Sequence, residues 1–170
     1  PRDYRSLKLT ARDLYQDAAD PETPARMDAL FDLLAEGPIV ETPMTLSRRP
    51  VPVVRRAEGI AWFHWRDLCE SPRSYVDFLE LANGSHTVLV QDVPALDEGR
   101  EDAARRLAWL VEILYDQRKR LILSARVPVD GLFAGPFSGT ARSSEFARVT
   151  SRLKEMQSTE YDLHLATAVD

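Results

Sequence analysis

A chain of 170 residues with 44% hydrophobic and 29% charged residues has the composition of a folded globular domain, not of a disordered segment. Its formal charge of -5, from 27 acidic against 22 basic residues, excludes a nucleic-acid-binding surface spread over the whole molecule. A lone cysteine, Cys69, excludes an intrachain disulfide or a cysteine-built metal cluster, and no apolar run approaches the ~20 residues of a membrane span. A soluble, cytoplasmic protein is expected.

The first helix is expected over Thr10–Ala18, with Thr10 as cap and Asp20-Pro21 as stop. A second follows, capped by Asp20 or Thr23, carrying the stripe Met27, Leu30, Phe31, Leu34 and closed by Gly37. Pro38–Pro50 reads as a connector. Short β segments are predicted at Met44–Ser47, Val51–Arg56 and Ile60–Trp65, the last after a Glu58-Gly59 turn. Arg66–Cys69 and Ser74–Ala82 read as helical, with Asn83-Gly84 as a stop. Thr87–Val93 is an almost continuous apolar run, the pattern of a strand covered on both faces. Asp97–Lys119 reads as a long helix with acids at its start and Arg118, Lys119 and Arg120 at its end, which complements the helix dipole. Leu121–Ala125 is a second buried strand, so residues 87–125 predict two adjacent parallel strands joined by a crossover helix. Val127–Phe133 reads as a helical turn and Gly135–Gly139 as a loop. The last helix starts at Ser143 or Ser144 and runs to about Gln157, with Phe146, Val149, Leu153 and Met156 on one face. The fold class is α/β: a mainly parallel sheet flanked by helices, with a small antiparallel β element. An N-terminal helical segment (1–40), an α/β domain (41–160) and a tail (161–170) are expected.

None of the seven glycines belongs to a phosphate-binding loop or to a dinucleotide fingerprint, so a triphosphate has no cradle in this chain. His64, His86, His164 and Cys69 lack metal-ligand spacing, and no nucleophile elbow is present. Asp92 ends a buried strand where a Walker-B-type acid would hold magnesium, but Val93 stands where a second acid is needed, so the reading of Asp92 as a cap or turn residue before Pro94 is favoured. Ser124 and Arg126 end the next strand in a pattern that resembles the polar sensor position of AAA-type ATPases, although a serine at a strand end is common without function. Arg148 and Arg152 lie four apart on the outer face of the last helix and are candidate arginine fingers for a phosphate held elsewhere. The alternative is a solvated face with Glu145 and Glu155; the finger reading expects at least one guanidinium free of a carboxylate. Trp62, Trp65 and Trp109 read as core or boundary aromatics.

The string Cys69-Glu70-Ser71-Pro72-Arg73-Ser74, with Asp77, Leu79-Glu80-Leu81-Ala82 and His86-Thr87-Val88, resembles a segment of ZapE-type, AFG-family P-loop ATPases. So do Asp3-Tyr4-Arg5, Val93-Pro94, Ala104-Arg105-Arg106-Leu107, Leu110-Val111-Glu112, Leu114-Tyr115-Asp116, Val127-Pro128 and Phe146–Ser158 through Glu160-Tyr161. The sequence departs from the family pattern at Val149, where Thr is usual, at Asn83-Gly84-Ser85, where an aromatic is usual, and at Asp162, where Leu is usual. The resemblance implies the C-terminal half of an ATP hydrolase using ATP and magnesium, with an N-terminal ATPase half upstream. It also implies a protein client, with FtsZ or the division machinery as candidates and a homo-oligomer as a candidate state; no nucleic acid is expected, because the aromatics are not interleaved with a basic run. A start at Pro1 without an initiator methionine fits such a piece, for which no bound cofactor and no activity alone are expected. The alternative is a non-catalytic interaction module that recruits the client or the division ring.

Overall fold

The computed structural model describes residues 7–97, 99–133, 143–162 and 164–165. Thr10 starts α1 (Ala11–Leu14) with a reciprocal capping box: its hydroxyl accepts from the Asp13 N–H, and the Asp13 carboxylate accepts from the Thr10 N–H. The helix lasts one turn. Tyr15–Asp17 turns into a strand, β1, because these three residues pair with Leu123–Ala125. Strand pairing thus overrides the helix predicted through Ala18.

Helix α2 (Thr23–Leu34) starts after an Asp20 turn, with Glu22 rather than Asp20 or Thr23 at the cap position. It ends before Gly37 because Ala35 is already extended and Glu36–Val40 forms β2, which runs into the predicted connector. Strands β3 (Met44–Leu46) and β4 (Arg49–Val51) form a separate hairpin whose turn residues Ser47 and Arg48 have φ of 51° and 66°. Two positive φ values make a primed turn that matches the strand twist. The second predicted segment, Val51–Arg56, is therefore split between β4 and β5 (Arg55–His64). Glu58-Gly59, predicted as a turn, lies within β5. Gly59, at φ 78°, marks a shift in register there.

Next come α3 (Trp65–Leu68), α4 (Tyr75–Asn83), β6 (Ser85–Val93), α5 (Glu101–Asp116), β7 (Arg120–Ala125), α6 (Val129–Leu132), α7 (Ser143–Met156) and α8 (Thr159–Asp162). Helix α5 begins four residues later than predicted, since Gly99 at φ 91° turns the chain and the Arg100 N–H donates to the Asp97 carbonyl. The predicted loop Gly135–Gly139 lies outside the described residues.

Five strands make one sheet in the order β1-β7-β6-β5-β2; all neighbours are parallel except β2 on β5. The predicted pair, β6 and β7, sits at its centre with α5 between them in sequence. One sheet face packs Ala61, Phe63, Val88, Val90, Leu121 and Leu123 against α4, α5 and α7. The other packs Ile60, Trp62, Leu89 and Ile122 against Met27, Leu30, Phe31 and Leu34 of α2. This three-layer arrangement explains why β6 and β7 read as apolar throughout.

Candidate functional site

Alternation along each strand places Trp62, Leu89 and Ile122 on the α2 face. Two residues further along, toward the carboxyl end, the same face carries His64, Gln91 and Ser124. The register joins His64 to Gln91 and Ser124 to Gln16. A polar row therefore crosses the carboxyl ends of four parallel strands, where open α/β sheets hold their ligands.

The row is distorted at one point. Between Val90 and Val93 strand β6 carries an extra residue relative to β7, and Asp92 sits there at φ 68°. A left-handed non-glycine residue costs about 1–3 kcal/mol and persists only where its surroundings fix it; bulges of this kind re-aim side chains. The Asp92 N–H donates to Ser124 Oγ at 2.8 Å, and its carboxylate accepts from Arg126 at 2.7 Å. His64 stands on its other side, Nε2 to Oδ2 3.3 Å. His64 Nδ1 accepts from the Arg66 N–H at 3.1 Å, so in the neutral ring Nε2 carries the proton and donates to Asp92. The strand end thus joins three of the sequence-selected residues, Asp92, Ser124 and Arg126, and adds His64.

Beside this cluster lies a cleft of about 320 Å³, walled by Pro24, Met27, Val54 and Trp62 and edged by Gln91, Asp92, Ser124 and Arg126. A second cleft, of about 270 Å³, opens on the other side of Arg126 beneath Tyr15 and Pro128. Burial pushes the Tyr15 hydroxyl up, and its O–H donates to the Val127 carbonyl, so it acts as a structural donor there. Asp92 does not fit a magnesium site: Arg126 and His64 take its oxygens, Val93 supplies no second acid, and among the described residues no group of three metal-binding side chains exists. Cys69 is fully buried and burial pushes its thiol up, which makes it inert as a nucleophile.

The arginine pair lies elsewhere. Helix α7 buries Phe146, Val149, Leu153 and Met156, as predicted, and leaves Arg148 57% and Arg152 29% exposed. Neither guanidinium is free. Both meet Glu112 of α5, Arg148 at 3.3 Å and Arg152 in close contact, and Arg152 also lies 4.9 Å over the Tyr115 ring. Tyr115 donates to Glu155 at 2.7 Å, so Glu155 engages the tyrosine. The expectation of an unpaired arginine is not met, because the i, i+4 spacing on α7 matches the reach of one carboxylate on α5.

The family of AFG1-like ATPases matches residues 1–164 of the chain. The chain belongs to the AFG1-like ATPase family. It is similar to the cell division protein ZapE of Escherichia coli K12, 34% identical over 160 residues, which cover 94% of this chain and 42% of that protein. Lactation elevated protein 1 homolog B of Danio rerio is 32% identical over 188 residues, covering 92% of this chain and 37% of that protein. An uncharacterized Schizosaccharomyces pombe protein is 29% identical, with 92% and 40% covered. The chain thus spans about two fifths of the length of these relatives. No solved structure matches.

In this AFG1-like chain no local motif marks His64, which acts through its register opposite Gln91. Glu112 stands in the sequence only as part of the family-like string Leu110-Val111-Glu112, with no role attached. Its role depends on how α5 packs against α7.

Proposed function

We propose that this chain is the C-terminal part of an AFG1-like ATP hydrolase that couples hydrolysis of magnesium-bound ATP to work on a protein partner in the cytoplasm, as part of cell division or protein quality control. The nucleotide and its metal are held by a phosphate loop outside these 170 residues. The observation that carries the reading is the match of residues 1–164 to the AFG1-like ATPases; the residues of this chain proposed to serve the nucleotide are Arg148 and Arg152, partly exposed although both are tied to Glu112. One carboxylate leaves the pair short of neutralisation at the surface, which suits a γ-phosphate presented by another part of the protein or by a neighbouring subunit.

A second reading, a protein-interaction module, is favoured by a different observation. Ile39 and Val40 lie 43% and 37% exposed on the edge strand β2. Apolar side chains on an open sheet edge suit a partner's backbone and side chains. Arg148→Ala and Arg152→Ala in the longer protein separate the two: loss of turnover with nucleotide affinity kept supports the hydrolase role of α7, and loss of partner binding alone supports the module.

A further inference from the structure

The start of α4 exposes apolar side chains that neither the core nor the helix needs. Tyr75 and Val76, the first two residues of the helix, are 46% and 60% exposed. Valine is a poor helix former and acids suit a first turn better, so local structure does not account for Val76. The Tyr75 ring stands edge-on to Trp109 of α5 at 5.8 Å, and the buried Phe78 backs Trp109 at 6.3 Å. An apolar ledge thus runs from α4 onto α5.

Guanidiniums border this ledge. Arg105 lies one helical turn before Trp109, is half-buried, and has no hydrogen bond or ion pair among the described residues. Arg106 donates to the Cys69 carbonyl at 2.9 Å, and Arg73 donates to the Leu68 and Asp67 carbonyls at 3.0 and 2.8 Å. Carbonyls satisfy these N–H groups and leave the charges unneutralised. Arg49 reaches the carboxylate of the buried Asp77. Burial lowers the Arg73 pKa, and Arg49 and Arg106 lower it further against the pull of Asp77, so the like charges stand close together. Glu70 is engaged with Trp65 and Arg100, and Glu80 with the Ser47 N–H. Among the described residues, Asp77 is therefore the one carboxylate ion-paired with Arg49, Arg73, Arg105 or Arg106.

Charge and apolar surface together narrow the occupant. Guanidiniums match carboxylates in a two-pronged geometry, and clusters of them recognise acidic motifs in proteins. An apolar side chain beside those carboxylates covers Val76 and Tyr75, as the anchor of an interface does. A polynucleotide suits the face less well. Trp109 is already packed by two rings, which leaves no row of open ring faces for successive bases, and the chain carries -5 overall.

We propose that the start of α4 and the adjoining turns of α5 dock an acidic segment of a partner protein that carries an apolar side chain among its carboxylates. The carboxylates meet Arg73, Arg105 and Arg106, and the apolar side chain packs on Val76 and the Tyr75 ring. The surface does not use the strand-end cluster, the α7 arginines or β2, so it stands apart from both readings of function above.

The test is calorimetric titration of the longer protein containing this segment, and of the 170-residue chain, with an acidic peptide. The peptide is about twelve residues long, aspartate and glutamate around a central Leu-Phe pair. Saturable binding to both is expected, weakening as ionic strength rises from about 0.05 to 0.5 M. Arg105→Glu weakens it about tenfold, and Val76→Ser, or a peptide with Gly-Ser in place of Leu-Phe, about fivefold. Arg12→Glu, the same change of charge on α1, has less than about a twofold effect. The proposal is overturned if the peptide fails to bind the chain, or if Arg105→Glu or Val76→Ser melts like the parent yet binds it equally well. It is overturned too if Arg12→Glu weakens binding as much as Arg105→Glu, or if a single-stranded thymidine oligonucleotide of the same length binds as tightly. Binding by the chain but not by the longer protein would make the ledge an internal interface and overturn it. So would a dimer of the chain that Val76→Ser abolishes, since a second copy is then the occupant.

Discussion

Asp162 shows how one residue's chemistry reaches across the fold. The family pattern has leucine there, and the aspartate is explained by Arg120, which is 1% exposed at the start of β7 and donates to Asp162 through Nε and Nη2 at 3.1 and 2.8 Å. Arg120 also donates to the Leu7 carbonyl. Removing one partner of a buried pair strands the other charge, at a cost of about 3–5 kcal/mol. Asp162→Leu is therefore expected to destabilise the chain by about that amount in urea unfolding, and Arg120→Met in the same background to recover much of the loss. A second residue makes stability depend on pH. Burial, with Arg120 and Lys119 nearby, lowers the His86 pKa to about 4, so the folded state keeps the ring neutral. The unfolded chain takes up a proton near pH 6.5 and the folded chain only near 4. Stability is then lost as pH falls between those values, by at most about 3 kcal/mol. Urea midpoints measured from pH 7 to 4 should show this slope, and His86→Asn should flatten it. Burial raises the Asp77 pKa, but the bonds from Ser47 and the Ser74 N–H, with Arg49 and Arg73, outweigh it and hold the carboxyl below its usual 3.8. Its contribution is lost only at still lower pH, outside the His86 window.

Among the elements, the end of α5 offers a clean energetic test. The Lys119 N–H donates to the Leu114 carbonyl and the Arg118 N–H to that of Tyr115, which closes the helix in a Schellman motif with Arg118 left-handed at φ 56°. Arginine there bears a conformational cost that glycine avoids. Arg118→Gly is expected to raise stability by about 0.5–1 kcal/mol, read as a higher thermal midpoint; a fall would show that the arginine's electrostatics outweigh its backbone cost. This region was legible in the sequence: apolar runs mark β6 and β7, and helical spacing marks α5 and α7. Strands β1 and β2 were not legible. Each is short, β1 follows a well-capped turn of helix, and β2 is exposed throughout, so their identity comes from the strands they pair with and not from their own residues. The site divides the same way. Asp92, Ser124 and Arg126 stand out because they end apolar runs, whereas His64 and Glu112 owe their roles to pairing and helix packing that no local pattern records.

At the scale of the whole molecule, the sheet spans the N-terminal segment and the central α/β region, since β1 and β2 form its two edges around β5, β6 and β7. The carboxyl edge of that sheet holds the strained Asp92 cluster, and α7 carries the arginine pair on a helix packed against α5. Under the proposed function the pair serves nucleotide bound outside the chain, with Glu112 and the Tyr115 ring fixing how Arg152 is presented. The direct measurement is ATP turnover by the longer protein containing this segment, alongside its ATP affinity, for the parent and for Arg152→Ala. A role in hydrolysis predicts a fall in kcat of about 10³-fold or more with affinity nearly unchanged, the size seen when an arginine that stabilises phosphoryl transfer is removed. A kcat within about twofold of the parent, in a variant that melts like the parent, would contradict that role and leave Arg152 as a strut between α5 and α7.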